Sequence, residues 1–325
     1  MIVRADRRGL AYQTQSVHQA LQPDVTVAID ITPLDPQGRW QQDFTPYPDA
    51  IITPWRGYTA PISDEALQAL LSCDVVYSAE TFYDPRLDEA AERGEIKTVR
   101  HVNPELFGGE YATAYWYPTS WQPVDLPPGP VMPLGIPDEW ITGRPAGPGL
   151  ALHVGGHRAA ADRNGTKLAI DIAQRTREWR WRFTSQDGVG AVPRALIARS
   201  EFVKDTHDRW ELYDGAAVLL LPRRYGGQSL PVIEAATRGL AVVLPDVSPN
   251  HEYPAELVHA KPGPWLKHKW IRTAVMDSTP GKRTMDRLHD PDELAAAQSR
   301  SVEWAQAHAW SNLATVWRDA LAEVR

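Results

Sequence analysis

Cysteine is almost absent from this 325-residue chain. Cys73 stands alone, which excludes an intrachain disulfide and fits a reducing cytosol. It reads as a small buried apolar residue rather than as a nucleophile. No run of 18 apolar residues exists, so no membrane span is expected. The first residues, MIVRADRRGL, lack the apolar centre of a signal peptide, and a cytoplasmic location is expected. The net charge of −7 argues against a nucleic-acid partner. No His or Cys spacing suggests zinc, and no Asp-x-Asp pair follows a strand, so no metal site is expected. No G-x-G-x-x-G lies between a strand and a helix, which argues against a dinucleotide oxidoreductase. No internal repeat or low-complexity tail is found. What remains is ordinary globular composition, with hydrophobic residues at 43% and charged residues at 23%. Tryptophan, at 13 copies, is abundant enough to serve both a core and flat sugar-stacking surfaces.

The length suits two domains of about 160 residues each. Short apolar runs at 2–5, 25–31, 50–53, 74–78 and 97–102 predict strands, with helices over about 10–21, 63–71 and 86–93 between them. Residues 131–136 read as a last strand of the first half. Proline and glycine then cluster over 142–149, as in a linker. Strands at 150–154, 180–184 and 201–204 follow, with Asp205 opening a helix that carries Trp210, Leu212 and Tyr213. Residues 251–289 read as irregular. A helix begins near Asp292, and Ser311 reads as the cap of a last one. There Leu313, Val316, Trp317, Ala320, Leu321 and Val324 form an apolar stripe. Strands alternating with helices predict an α/β fold with parallel sheets.

The chemistry concentrates at residues 214–250. An apolar strand at 216–221 leads into a loop at 222–229 holding Gly226 and Gly227. A helix at 230–238 follows, with Pro231 in its first turn, and a second buried strand fills 240–244. The glycines let a ligand approach the backbone, and the helix start offers N–H groups to a phosphate or to hydroxyls. Glu234, one turn in, can accept from a diol. The same pattern equally fits a plain βαβ unit whose glycines only make a turn.

This segment resembles the donor-site motif of retaining GT-B glycosyltransferases, especially family 4. The family's Gly-Phe-Gly-Leu-Pro core reads here Gly227-Gln228-Ser229-Leu230-Pro231, and the second Glu of its motif is Glu234. The first Glu, which in the family holds donor-sugar hydroxyls, falls on Gly226. Tyr225, Gln228 or backbone groups would then take that task, or the activity differs. The pattern looks like a divergent branch associated with actinobacteria and their phages.

The resemblance covers most of the chain. It implies two Rossmann-like domains facing a central cleft, at 1–142 and 143–305, with a terminal helix at 306–325 crossing back to the first. It implies a nucleotide-diphosphate sugar as donor substrate, retention of configuration, and no required cofactor or metal. The acceptor (glycan, protein or small molecule), the nucleotide, the sugar and the oligomeric state stay open. Arg7, Arg8 and Gly9, before the first helix, are similar to the family's N-terminal glycine-rich loop. Gly155, Gly156, His157 and Arg158 follow the strand at 150–154, and Arg163-Asn164-Gly165 best matches the family's Lys-Gly turn, with Asn164 at the Lys position. Arg158, Arg163 or Lys167 would bind the donor diphosphate. Thr184, Ser185, Lys204 and Asp205 are candidates for the nucleotide-base pocket.

Donor binding is therefore expected at Gly9, Gly156, Arg158, Arg163, Asn164, Lys167, Ser185, Lys204, Tyr225, Gly226, Gly227, Gln228, Ser229, Leu230 and Glu234. The acceptor side is expected at Arg8, Tyr12, Glu80 and Asn103, and catalysis at His101 and Arg163. His101, at a strand end, suits a hydrogen bond to a sugar hydroxyl or a proton shuttle, and equally a structural hydrogen bond. Two further readings stand beside transfer: a nucleotide-sugar epimerase on the same fold, and a nucleotide- or carbohydrate-binding protein without turnover.

Overall fold

The computed structural model describes residues 1–6, 9–35, 41–57, 60–123, 125–156, 162–186, 188–204, 208–266 and 271–325. The chain forms two compact units, Met1–Pro137 with His308–Arg325, and Asp138–Ala307.

The first unit alternates strand and helix: β1 (Ile2–Arg4), α1 (Gly9–Leu21), β2 (Val27–Asp30), β3 (Ile51–Pro54), α2 (Asp64–Leu71), β4 (Val75–Ala79), α3 (Pro85–Glu92), β5 (Lys97–His101) and β6 (Ala114–Trp116). Pairing is parallel throughout, in the orders β1-β2-β3 and β4-β5-β6. Ser63 caps α2 by accepting from the Ala66 N–H, and Asp84 caps α3 by accepting from that of Arg86. Ile2, Val27, Ile29, Leu70, Val76 and Leu87 fill the core between sheet and helices. The expected strand at 131–136 is reduced to two isolated bridges, Tyr117 with Val131 and Ile136 with Ala309. Prolines at 130, 133 and 137 remove the donors a longer ladder would need.

The second unit holds β7 (Leu150–Val154), α4 (Thr166–Arg175), β8 (Arg180–Thr184), α5 (Arg194–Ile197), β9 (Ser200–Val203), β10 (Val218–Leu220), α6 (Leu230–Thr237), β11 (Ala241–Pro245), β12 (Ala255–Val258), β13 (Ala260–Leu266), β14 (Ile271–Met276), α7 (Ser278–Arg287) and α8 (Pro291–Ala307). Six of these strands make one parallel sheet, ordered β12-β11-β10-β7-β8-β9. The order runs outward from β7 in one direction and from β10 in the other. The neighbours β7 and β10 thus mark a topological switch point, where open α/β sheets leave a crevice beyond the strand ends.

Residues 251–289, expected to be irregular, carry β12, the antiparallel hairpin β13–β14 and α7. The helix expected from Asp205 is a single 3₁₀ turn, Arg209–Leu212, and Asp205 itself lies outside the described residues.

The last helix, α9 (Trp310–Val324), belongs to the first unit. Its N-cap is Ala309, not Ser311, which is exposed. Of the expected stripe only Trp317 is buried, and Val316 is 53% exposed. The Trp317 indole donates to the Pro133 carbonyl (3.1 Å), and Trp310 donates to the Ser16 hydroxyl (2.8 Å). A Cβ at Gly135 would lie closer than 3.0 Å to the Trp310 ring, so only glycine leaves room for that indole. Among the described residues no helix is long and apolar enough to cross a membrane.

Candidate active site

At the switch point the connection after β7 docks onto the loop after β10. Gly165, at φ +70°, makes this approach possible, because a Cβ there would lie closer than 3.0 Å to the Pro222 carbonyl oxygen. The Arg224 N–H donates to the Arg163 carbonyl (2.7 Å), and Arg163 Nε donates to the Tyr225 carbonyl (3.4 Å). The Arg163 guanidinium also lies over the Tyr225 ring, 5.4 Å from its centroid. The fold thus brings together three residues expected at the donor site, Arg163, Tyr225 and Gly226.

Gly226 has φ +126°, a conformation that side-chain-bearing residues avoid. A Cβ there would meet Nη2 of both Arg163 and Arg223 inside 3.0 Å. Two guanidinium groups therefore converge on the place where the family motif carries a Glu. Like charges within about 6 Å repel by ~1–3 kcal/mol at an effective dielectric of about 20–40, so an anion is favoured there. Arg223 is buried, and nothing in its sequence context marks it as more than a loop residue.

Gln228 and Ser229 lead into α6, whose start has no side-chain cap. The Ser229 N–H donates to the Tyr253 hydroxyl (2.9 Å). Both amide atoms of Gln228 are shielded from solvent, and among the described residues neither has a hydrogen-bond partner. Such a group is costly unless a ligand completes it. Leu230 starts the helix, and Gly227 lies in the same loop.

Glu234 is buried in α6. Its Oε2 accepts from the Tyr213 hydroxyl (2.6 Å), and its Oε1 lies 3.3 Å from Arg209 Nη1. Burial raises the carboxyl pKa above its usual range, while Arg209 and Tyr213 pull it down. The Arg209 guanidinium sits between two indoles, 4.1 Å from Trp140 and 4.4 Å from Trp210. Neither Arg209 nor Tyr213 figures in the sequence expectation.

Other expected donor residues have structural duties. Asn164, at the family's Lys position, donates from Nδ2 to the carbonyls of Val154 (3.2 Å) and Gly155 (3.0 Å), tying its turn to the end of β7. Ser185 donates to the Gly156 carbonyl (3.1 Å), so these two expected residues also meet. The Asp162 carboxylate accepts from the N–H groups of Thr166 (2.7 Å) and Lys167 (3.1 Å). The first turn of α4 is therefore already engaged. The side chains of Lys167 and Lys204 are exposed. Arg7, Arg8, His157, Arg158 and Asp187 lie outside the described residues. Beneath the site His153 is fully buried. Its ring nitrogens meet the Leu220 carbonyl and the Thr166 hydroxyl, each at 3.0 Å, and burial lowers its pKa to about 4.

In the first unit, His101 does not fit the catalytic role expected for it. It has no exposed surface, its Nδ1 meets Tyr77 Oη (3.0 Å) and Gln13 Nε2 (3.3 Å), and its ring stands edge-on to Trp317. Burial lowers its pKa to about 4. A ring enclosed on all sides cannot touch a substrate, so the correction is to a structural core histidine. Gly9 opens α1 and is exposed, and Tyr12 lies partly buried on the same helix.

Glu80 and Asn103 are joined, Asn103 Nδ2 donating to Glu80 Oε1 (2.6 Å). Glu80 helps line a cavity of about 210 Å³ with Arg4, Trp55, Thr81, Tyr83, Arg100, Leu106 and Glu110. Glu80 (φ +66°) and Tyr83 (φ +64°) both adopt left-handed backbone, strain of the kind that gathers at functional sites. Hydrogen bonds sustain it: Arg100 donates to the Glu80 carbonyl (2.6 Å) and Trp55 to that of Tyr83 (3.0 Å). Among the described residues no three His, Cys, Asp or Glu side chains converge as metal ligands would.

Two Rossmann-like units with the terminal helix returned to the first constitute the GT-B fold of glycosyltransferases. Solved structures share it at low sequence identity. HepE of Anabaena, solved in complex with UDP and glucose, matches with a TM-score of 0.70 at 12% identity, over 99% of each chain. A glycosyltransferase from Rickettsia africae matches at 0.65 and 9% identity, over 99% of this chain and 97% of its own. The lipopolysaccharide outer core galactosyltransferase WaaB matches at 0.64 and 12%, over 99% and 98%. No family model matches the sequence, and no curated protein sequence matches it.

Proposed function

We propose that this protein transfers a sugar from a nucleotide-diphosphate sugar to an acceptor, with retention and without a required metal. The observation that carries the reading is the docking of the Arg163 turn onto the 222–229 loop at the β7/β10 switch point. It gathers guanidinium groups, an uncapped helix start and a buried amide in one place. The neighbours' UDP and glucose complexes, on the same fold, support a donor of this class.

In the transfer, the bond from the sugar's anomeric carbon to the phosphate oxygen breaks, and its electron pair leaves with the diphosphate. The acceptor hydroxyl forms the new bond and its proton passes to the departing phosphate. Arg163 and the backbone amides at the start of α6 hold the growing negative charge. Glu234 binds the ribose diol, and Gln228 and Tyr225 face the sugar. Glu80, Asn103 and the Trp55 and Tyr83 rings hold the acceptor in the cavity of the first unit.

A second reading, binding without turnover, is favoured by one observation: position 226 has no side chain and a backbone closed to glutamate. Thermal shift against a panel of nucleotide sugars, followed by assay of released nucleoside diphosphate with EDTA present, separates the two. Stabilisation and release in chelator are expected. Tight donor binding with no transfer to any acceptor would favour the second reading, and activity lost in EDTA and restored by magnesium would refute metal independence.

A further inference from the structure

We propose that Arg223 joins Arg163 in a two-guanidinium clamp that closes on the terminal phosphate of the donor's nucleoside diphosphate beside Gly226. This rests on the donor reading above and adds to it a residue outside the motif that suggested that reading.

Three features of the loop support the clamp. The two Nη2 atoms come from different connections, one after β7 and one after β10, yet each falls inside 3.0 Å of the same point. An oxyanion brought near that point accepts from both forks, and guanidinium geometry favours such paired contacts to phosphate. Gly226 leaves the point empty: with φ +126° and two nitrogens where a Cβ would be, any side chain both strains the backbone and pushes the forks apart. The clamp is also held in place before a ligand arrives. Arg223 is 3% exposed and lies beside the Tyr253 hydroxyl, which in turn accepts from the Ser229 N–H. Arg163 is fixed by its stacking on Tyr225. Preorganised cations of this kind stabilise charge that grows on a leaving group without having to move.

The test uses the full chain. Calorimetric titration with UDP, GDP and ADP identifies the diphosphate that the wild type binds. The monophosphate of the same nucleoside and inorganic pyrophosphate are then titrated into wild type, Arg223→Gln, Arg223→Lys and Gly226→Ala. The expected result is at least a tenfold loss of diphosphate and pyrophosphate affinity in Arg223→Gln and Gly226→Ala, with monophosphate affinity changed less than twofold. Arg223→Lys falls in between. Because Arg223 is buried, Gly226→Ala gives an independent reading that leaves both arginines in the chain. Equal losses for mono- and diphosphate, or no loss, would overturn the clamp while leaving the donor reading intact. So would unchanged diphosphate affinity with weakened binding of a nucleotide-linked uronate, since the occupant would then be a sugar carboxylate. A wild type that binds none of the nucleoside diphosphates would overturn the donor reading and the clamp together.

Discussion

Gly165→Ala tests whether the two loops dock as tightly as described. At φ +70° the new methyl group carries the left-handed backbone penalty, about 1–2 kcal/mol. It also falls inside 3.0 Å of the Pro222 carbonyl oxygen, a backbone atom that cannot rotate away. Forcing an extra methyl into packed structure costs a further ~1–3 kcal/mol. Gly188→Ala is the control. Its φ is +81°, but nothing lies within 4 Å of the added methyl. Urea denaturation should show a loss of about 1–2 kcal/mol for Gly188→Ala and about 2–5 kcal/mol for Gly165→Ala. Only Gly165→Ala should also weaken nucleoside diphosphate binding, because it pries the Arg163 turn from the 222–229 loop. Equal destabilisation of the two variants would refute the tight approach and, with it, the argument that places Arg163 at the site.

Glu234→Gln should weaken nucleoside diphosphate binding by about tenfold or more, the worth of a charge-assisted hydrogen bond to the ribose, as measured by calorimetry. Its Tyr213 and Arg209 contacts mean that the melting temperature should move as well. Gln228→Ala should lower the single-turnover transfer rate more than the affinity for the bare diphosphate; equal losses would assign Gln228 to the nucleotide or to the fold. His101 and His153, each held near pKa 4 by burial, bind fewer protons folded than unfolded between pH 6.5 and 4. Stability should therefore be fully present above pH 6.5 and decline as the pH falls to 4, by on the order of 3 kcal/mol for each histidine. His101→Gln should flatten the slope in the first unit; an unchanged slope would show that His101 is not buried neutral.

The parallel sheets were legible because β7, β10 and β11 are short continuous apolar runs bounded by glycine and proline. The site loop was legible through Gly226, Gly227 and Glu234. The β13–β14 hairpin was not, since β13 reads Ala-Lys-Pro-Gly-Pro-Trp-Leu, against every strand preference, and earns its place by pairing with β14. His101 misled because a strand's last residue can point either into the cleft side or into the core, and here the Trp317 ring from a distant helix closes over it. Arg223 was missed because an arginine in a basic loop reads as solvated until the fold shows that it is buried. Arg209 shows the same limit: the indoles that hold it, Trp140 and Trp210, lie 70 residues apart in the chain.

Trp317 also bears on the order in which the protein can be made. The second unit is contiguous, Asp138–Ala307, whereas the first keeps its largest core side chains partly in residues beyond 307. During synthesis, which proceeds from the N-terminus, the second unit has all its residues available before α9 has been translated. The first unit, though begun earliest, must wait with an open slot over Tyr77, His101 and Trp116 until Trp317 leaves the ribosome. A nascent chain stalled shortly after Ala307 should thus hold a protease-resistant second unit beside an incomplete first one.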